Sequence, residues 1–332
     1  MLRGNSHPGA AMKAIVYSKY GPPDVLKCEE IDKPTPGDDE VLIKVRAASV
    51  NPVDWHFMRG SPFLVRMMAG LRKPNFRLGA DVAGQVEAVG GKVTQFKPGD
   101  QVFGTCRGSL AEYACTRESA LVLKPDNVTF DQAASVGIAA FTALQGLRDK
   151  GHIQPGQKVL INGAAGGVGT FAIQIAKSLG AEVTGVCSTR NVEMVRSIGA
   201  DHVIDYTRED FTKGSQLYDV MLDNIGNHPF PECRRILKPT GTYVAVGGPG
   251  GGSMIGPMLR LITRLVLSRF SSQKFAFFIA KSSKDDLTLI ADLMKAGKVT
   301  PIIDRRYKLT ETSEAIRYLE QGHVRGKVVI MV

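Results

Sequence analysis

The sequence predicts an α/β protein of two units, a compact β-rich barrel-like domain and a doubly wound parallel sheet covered by helices. Three observations predict it. From Met12 to about Leu123 the chain reads as short strands separated by proline and glycine turns. From Lys158 onward strand and helix alternate, as a parallel sheet with crossover helices requires. At the start of that alternation, Val159-Leu160-Ile161-Asn162-Gly163-Ala164-Ala165-Gly166-Gly167-Val168-Gly169 carries an apolar strand into a glycine turn that opens a helix. A length of 332 residues with 43% hydrophobic content suits two cores.

Residues 1–11 are short, polar and without a hydrophobic stretch, and read as a disordered extension or expression scar rather than a secretory signal. Ala14 to Tyr17 is a first strand, and Gly21-Pro22-Pro23 a turn. Residues 40–50 alternate apolar and polar, as a half-buried strand does. Residues 82–89 and 101–103 are further strands, joined by the turn Lys97-Pro98-Gly99-Asp100. Residues 130–134 and 137–150 read as helices. The strands of the second unit are placed at 158–162, 182–187, 202–206, 218–224 and 242–247, with a sixth at 274–280. Helices are expected at 170–179, 192–198 and 231–237, and a flexible loop at 247–252 closes the fifth strand. The chain ends in an amphipathic helix at 284–296, a short strand near Ile302, a helix at 311–321 and a strand at 327–332.

The glycine turn carries the clearest chemistry. Gly166 and Gly167 let the backbone approach a pyrophosphate, and Gly169 lets the helix pack on the strand. The first helical turn offers free N–H groups to phosphate. Ala164 stands where the usual fingerprint has its first glycine, so an ordinary tight βα turn is the competing reading. The next strand ends in Ser188-Thr189-Arg190, with no acid at the place where NAD sites hold the ribose hydroxyls. A hydroxyl and a guanidinium suit a 2′-phosphate, which points to NADPH over NADH. A plain surface arginine is the alternative.

The formal charge of +10 favours anionic ligands, but basic residues are spread along the chain and no RNA-recognition pattern stands out. No nucleic-acid partner is expected. The five scattered cysteines include no C-x-x-C and suit a reducing cytoplasm. Residues 254–270 are apolar apart from three arginines, with Arg260, Thr263, Arg264 and Ser268 on one helical face. Packing on the protein itself or on a second subunit is the preferred reading. Peripheral contact with a membrane surface is the other.

Taken together, the chain resembles the medium-chain dehydrogenase/reductase superfamily, and within it the zinc-free quinone oxidoreductase branch. The resemblance runs from Met12 to Val332. It rests on Met12-Lys13-Ala14-Ile15, Ser49-Val50-Asn51-Pro52-Val53-Asp54, Leu78-Gly79-Ala80-Asp81-Val82-Ala83-Gly84, Pro98-Gly99-Asp100-Gln101-Val102, the glycine turn, Leu179-Gly180-Ala181 and Gly326-Lys327-Val328-Val329. It implies a GroES-like catalytic domain over 12–135 and 282–332, with a Rossmann NADPH-binding domain inserted at 136–281. It also implies an active site in the cleft between them, and a homodimer or homotetramer. The zinc branch has a Cys where this chain has Asn51, and a His–Glu pair where it has Ala80 and Asp81. No metal is therefore expected.

The resemblance assigns Ala165, Gly166, Gly167 and Val168 to the pyrophosphate, and Ser188, Arg190 and Tyr206 to the 2′-phosphate. Thr142, Ile225 and Gly247 fall near the nicotinamide, and Arg325 and Lys327 reach toward the cofactor or the surface. Asn51 lines the substrate pocket, where its amide suits a developing oxyanion; a structural turn asparagine is the equal alternative. His56 is the candidate proton donor, against a histidine merely satisfied by hydrogen bonds, while Asp54 reads as structural. The activity implied is NADPH-dependent, zinc-independent reduction of quinones or related electrophilic carbonyl compounds. Reduction of the C=C bond of alkenals or enones is the alternative. An NADPH-binding module with an RNA, membrane or protein partner is the reading from another class.

Overall fold

The computed structural model describes residues 10–246 and 272–332. The expectations for Gly247, for the loop 247–252 and for the segment 254–270 lie outside the described residues.

The chain opens with the antiparallel pair β1 (Ala11–Val16) and β2 (Lys27–Asp32). β3 (Glu40–Val50) follows with the predicted bounds, but the expected alternation holds only around Lys44 and Arg46; residues 41–43 and 47–50 are buried on both faces because helices and neighbouring strands cover them. Two helices then interrupt the region read as strands and turns: α1 (Pro52–Arg59) and α2 (Phe63–Ala69). The correction has a local cause. Asn51-Pro52 resembles a turn, but Pro52 sits at the first helical position, where its missing N–H costs nothing. β4 (Asp81–Val89), β5 (Gln101–Thr105), β6 (Tyr113–Arg117) and β7 (Leu121–Leu123) complete the first half of the barrel.

α3 (Phe130–Ala134) and α4 (Gly137–Gln145) lead out of the barrel, and α4 continues as a π-helical turn over Gly146–Lys150. The second unit alternates β8 (Lys158–Asn162), α5 (Gly167–Ser178), β9 (Glu182–Cys187), α6 (Val192–Ser197), β10 (His202–Asp205), β11 (Tyr218–Asp223), α7 (Phe230–Arg235), β12 (Leu237–Ala245) and β13 (Lys274–Phe277). α8 (Lys284–Lys295), β14 (Ile303–Lys308), α9 (Thr312–Glu320) and β15 (Lys327–Met331) return to the barrel.

The inner sheet is parallel throughout, in the order β10-β9-β8-β11-β12-β13. The order reverses between β8 and β11, so a crevice opens beyond the carboxyl ends of those two strands. The barrel sheet runs β14-β15-β3-β4-β5-β7, with β6 also on β3. One core joins the two sheets. Phe141 and Leu144 of α4 pack with Phe171 of α5, Leu222 of β11 and Phe103 and Val329 of the barrel, all at most 2% exposed. This shared core fixes the crevice against the barrel wall.

Candidate functional site

The site grows from the end of β8. Gly163 takes φ 77°, a conformation that side chains resist, and its carbonyl accepts from Gly166 N at 3.2 Å. α5 then begins at Gly167, three residues before the predicted start at Thr170, because two low-propensity glycines are held there by packing rather than by preference. A Cβ on Gly169 would lie 2.2 Å from Gly163 O and 2.7 Å from the Ala164 backbone. Gly166 is different, since a Cβ there would meet only Gly163 O, at 3.5 Å. The space over Gly166 is open, and the first turn of α5 has no intrahelical partners for its N–H groups. Ala165, Gly166, Gly167 and Val168 thus form a backbone cradle that fits a pyrophosphate. The departure at Ala164 is compensated on β9, where Gly185 has no Cβ and would otherwise stand 3.0 Å from the Ala164 methyl.

At the end of β9, Ser188 Oγ accepts from Asn191 Nδ2 at 3.1 Å. Arg190 is exposed and donates to the His323 carbonyl at 2.7 Å. Tyr206, after β10, is 55% exposed. The nearby Asp205 carboxylate is occupied by Thr189 and Thr207, which hold its pKa below the usual carboxylate range. The three residues assigned to a 2′-phosphate therefore sit on one sheet edge, at the ends of adjacent strands.

Across the switch point, sequence reasoning missed Asp223. Its Oδ1 accepts from Ile225 N at 3.1 Å, Gly226 N at 2.8 Å and Asn162 Nδ2 at 2.9 Å. Tyr243 OH donates to Oδ2. This buried carboxylate pins the loop after β11, so that Ile225 lies over Gly163 while remaining 45% exposed. Thr142 is buried on α4 and donates its hydroxyl to Ile138 O at 2.7 Å.

The barrel wall supplies a second group. In the β3–β15 register Val50 faces Val328, which brings the flanking Asn51 and Lys327 together. In the β3–β4 register Ser49 faces Asp81. Lys327 Nζ donates to Asn51 Oδ1 at 2.5 Å and lies 3.4 Å from Asp81 Oδ2. Asn51 Nδ2 donates to Asp81 Oδ2 at 2.9 Å, and Ser49 Oγ to the same oxygen at 2.7 Å. Ile138 N, at the start of α4, donates to Asp81 Oδ1 at 2.9 Å. Ser49, Asn51, Asp81 and Lys327 are all at most 4% exposed. Asp81 and Ser49 were not singled out as site residues, although an acid opening the apolar strand Asp81-Val82-Ala83-Gly84 was a visible signal.

The two units touch here. Gly326 N donates to Ala165 O at 2.8 Å, and the stem of Lys327 lies against Gly167, where an added Cβ would be 3.1 Å from Lys327 Cδ. Arg325 is exposed, whereas Lys327 is buried with its ammonium directed to the barrel group.

His56 lies outside this group. Its ring stacks on Trp55 with centroids 3.7 Å apart, and Nδ1 is 2.8 Å from Ser61 O, a contact that places the proton on Nδ1. Asp54 accepts from Asn51 N at 2.7 Å and Gly79 N at 2.8 Å, the structural role expected of it. Burial pushes its carboxyl up to about 6; the two backbone bonds pull down, Asp81 adds to the rise and Lys327 opposes it. The folded value thus lies above the ordinary 3.8. Folding takes up a proton between about pH 4 and 6, so the stability this group contributes falls as pH rises through that window and levels off above it. Asp54→Asn is expected to flatten that fall and to cost about 1–3 kcal/mol, since an amide faces one backbone N–H with its own NH2. Urea unfolding at a series of pH values checks it; parallel profiles for the variant and the parent count against the assignment.

Among the described residues no three His, Cys, Asp or Glu side chains gather as a metal site. Of the three positions that differ from the zinc branch, Asn51 presents a carboxamide, Ala80 a methyl and Asp81 a carboxylate, and the Lys327 ammonium lies between the first and the last, where it would repel a metal ion.

Comparison with known proteins agrees with this architecture. The alcohol dehydrogenase GroES-like domain matches residues 37–126, and the zinc-binding dehydrogenase domain matches residues 198–330. The chain belongs to the medium-chain dehydrogenase/reductase superfamily. The mitochondrial NAD(P)H oxidoreductase RTN4IP1 of Mus musculus is 35% identical, over 97% of this chain and 89% of its own. The chloroplastic NADPH-dependent alkenal/one oxidoreductase of Arabidopsis thaliana is 36% identical, over 96% and 79%. The quinone oxidoreductase of Coxiella burnetii superposes with a TM-score of 0.85 at 32% identity, over 97% of this chain and 100% of that one. Within the superfamily the protein is an oxidoreductase of the quinone oxidoreductase branch.

Proposed function

We propose that the protein reduces quinones or related electrophilic carbonyl compounds with NADPH and without zinc. The observation that carries this reading is the buried Asn51–Lys327–Asp81 group placed directly beside the glycine cradle. Ala165 to Val168 would hold the pyrophosphate, Ser188, Arg190 and Tyr206 the 2′-phosphate, and Thr142 and Ile225 the nicotinamide end. Bound there, the cofactor supplies a hydride. Asn51 has one amide proton left after Asp81, and the reading assigns it to the substrate oxygen, where negative charge develops as hydride arrives. No Lewis acid is needed when the acceptor carbon is already electrophilic.

NADPH oxidation against a benzoquinone, a larger ring quinone, a 2-alkenal and a cyclic enone tests this, with a chelator as control. Quinone turnover that survives the chelator supports the reading. Preference for the alkenal favours a second reading, C=C reduction, which the 36% identity to an alkenal/one oxidoreductase supports. Tight NADPH binding with no acceptor reduced points instead to a binding module.

Arg190→Ala tests the cofactor choice. A charge-assisted bond to phosphate contributes about 1.5–3 kcal/mol, so KM for NADPH should rise on the order of tenfold or more. KM for NADH should move much less. Equal changes for both would show that Arg190 does not read the 2′-phosphate.

A further inference from the structure

The Asn51 carboxamide is held by two groups of opposite kind. A carboxamide has nearly the same shape after a half-turn about its bond to Cβ, but the turn exchanges its donor and acceptor ends. Lys327 can only donate, and the oxygen of Asp81 that faces Asn51 already collects donors from Ser49 and Lys327. Asn51 Oδ1 must therefore face Lys327 and Nδ2 must face Asp81. The lysine is anchored in turn from the cofactor side, through Gly326 bonded to Ala165 and through its stem on Gly167. The stem of Lys327 thus packs on Gly167 of the glycine cradle while its ammonium belongs to the barrel group.

We propose that Lys327 is a positioning residue: its ammonium locks the Asn51 carboxamide in one orientation and sets it relative to the phosphate turn, so that the free amide proton is always presented as a donor. The proposal rests on the reading of Asn51 as the donor to substrate oxygen. It goes beyond that reading in assigning the direction of the amide to a residue 276 positions away. It also makes the buried lysine act through Asn51, not on the phosphates.

Three variants test it: Asn51→Ala, Lys327→Met and the two combined. Lys327→Met should lower kcat about 10- to 100-fold, less than the roughly 100- to 1,000-fold of removing an oxyanion donor outright, because the amide remains but is no longer held in one orientation. Its affinity for NADP+, followed through the emission of Trp55, the single tryptophan, should change less than about threefold. Adding Lys327→Met to Asn51→Ala should cost less than about twofold more, because a residue that acts through Asn51 has nothing left to position. Full multiplication of the two losses overturns the proposal. A second readout needs no turnover. The Asn51 side-chain amide protons, identified by their loss from the NMR spectrum of Asn51→Ala, should be protected from exchange in the parent and lose at least tenfold of that protection in Lys327→Met. Equal protection overturns the proposal even if the parent reduces none of the acceptors, an outcome that by itself counts only against the functional reading. Should Lys327→Met not fold, Lys327→Leu, which also removes the donor while keeping apolar bulk at that position, is read in the same two ways.

Discussion

Gly169→Ala is expected to weaken NADPH binding severely, raising Kd by on the order of 100-fold, the scale of losing one or two hydrogen bonds to a charged phosphate at about 1.5–3 kcal/mol each. The reason is steric and confined to backbone. The new Cβ would stand 2.2 Å from Gly163 O and 2.7 Å from two Ala164 backbone atoms. None of these can rotate away as a side chain does. Relief requires α5 to lift from β8, and the N–H groups of its first turn move with it. Gly166→Ala separates this effect from direct contact with ligand. Its Cβ has room in the protein and Gly166 sits at φ −81°, so the fold should be unaffected. Any loss of affinity in Gly166→Ala therefore reports the closeness of phosphate to the backbone. Calorimetric titration with NADPH and urea unfolding of both variants decide the matter. Binding by Gly169→Ala as tight as that of the parent would mean that the turn is an ordinary βα connection.

The inner sheet was legible because its strands are buried on both faces and read as apolar runs between turns. Val159, Leu160 and Ile161 are fully buried, as are Met221 and Leu222. The glycine turn was legible because its chemistry is local: every residue that shapes it lies within a few positions. The start of α5 was misplaced for the same reason that the turn works, since packing overrides the poor helix propensity of Gly167 and Gly169. The two short helices after β3 were hidden by Asn51-Pro52, a pair that opens turns and helices alike.

The barrel half of the site is a product of strand register, which no local pattern reveals. Asn51 was named through resemblance, but nothing near it in sequence announces Lys327. Only the pairing of Val50 with Val328 brings the two together, and only the pairing of Ser49 with Asp81 adds the carboxylate. The resemblance alone leaves Lys327 reaching toward the cofactor or the surface, because lysines are mostly exposed. Its stem does touch Gly167 of the cradle, while its charge faces inward. Asp223 was passed over similarly, because its importance lies in the backbone N–H groups it collects from the following loop.

The second large effect is expected from Asp81→Ala, as a loss of stability of about 3–5 kcal/mol, typical of breaking a buried ion pair from one side. Asp81 is fully buried and Lys327 is 4% exposed, so the ammonium left behind loses its contacting carboxylate, keeps only the longer-range attraction of Asp54, and has little water to replace the pair. Ser49 Oγ, Asn51 Nδ2 and Ile138 N lose their common acceptor at the same time. The origin of the loss can be separated by adding Lys327→Met. If the unpaired charge dominates, the double variant should recover more than half of the lost stability, because a pair of buried charges can be replaced by apolar side chains at little net cost. If the orphaned donors dominate, the second substitution should restore little. Urea unfolding of the parent, both single variants and the double variant closes the cycle. Recovery of stability without recovery of turnover would show that the charges are retained to orient Asn51, since a barrel wall of apolar residues would hold the fold as well. An Asp81→Ala protein within about 0.5 kcal/mol of the parent, the range of ordinary surface substitutions, would refute the buried pairing itself.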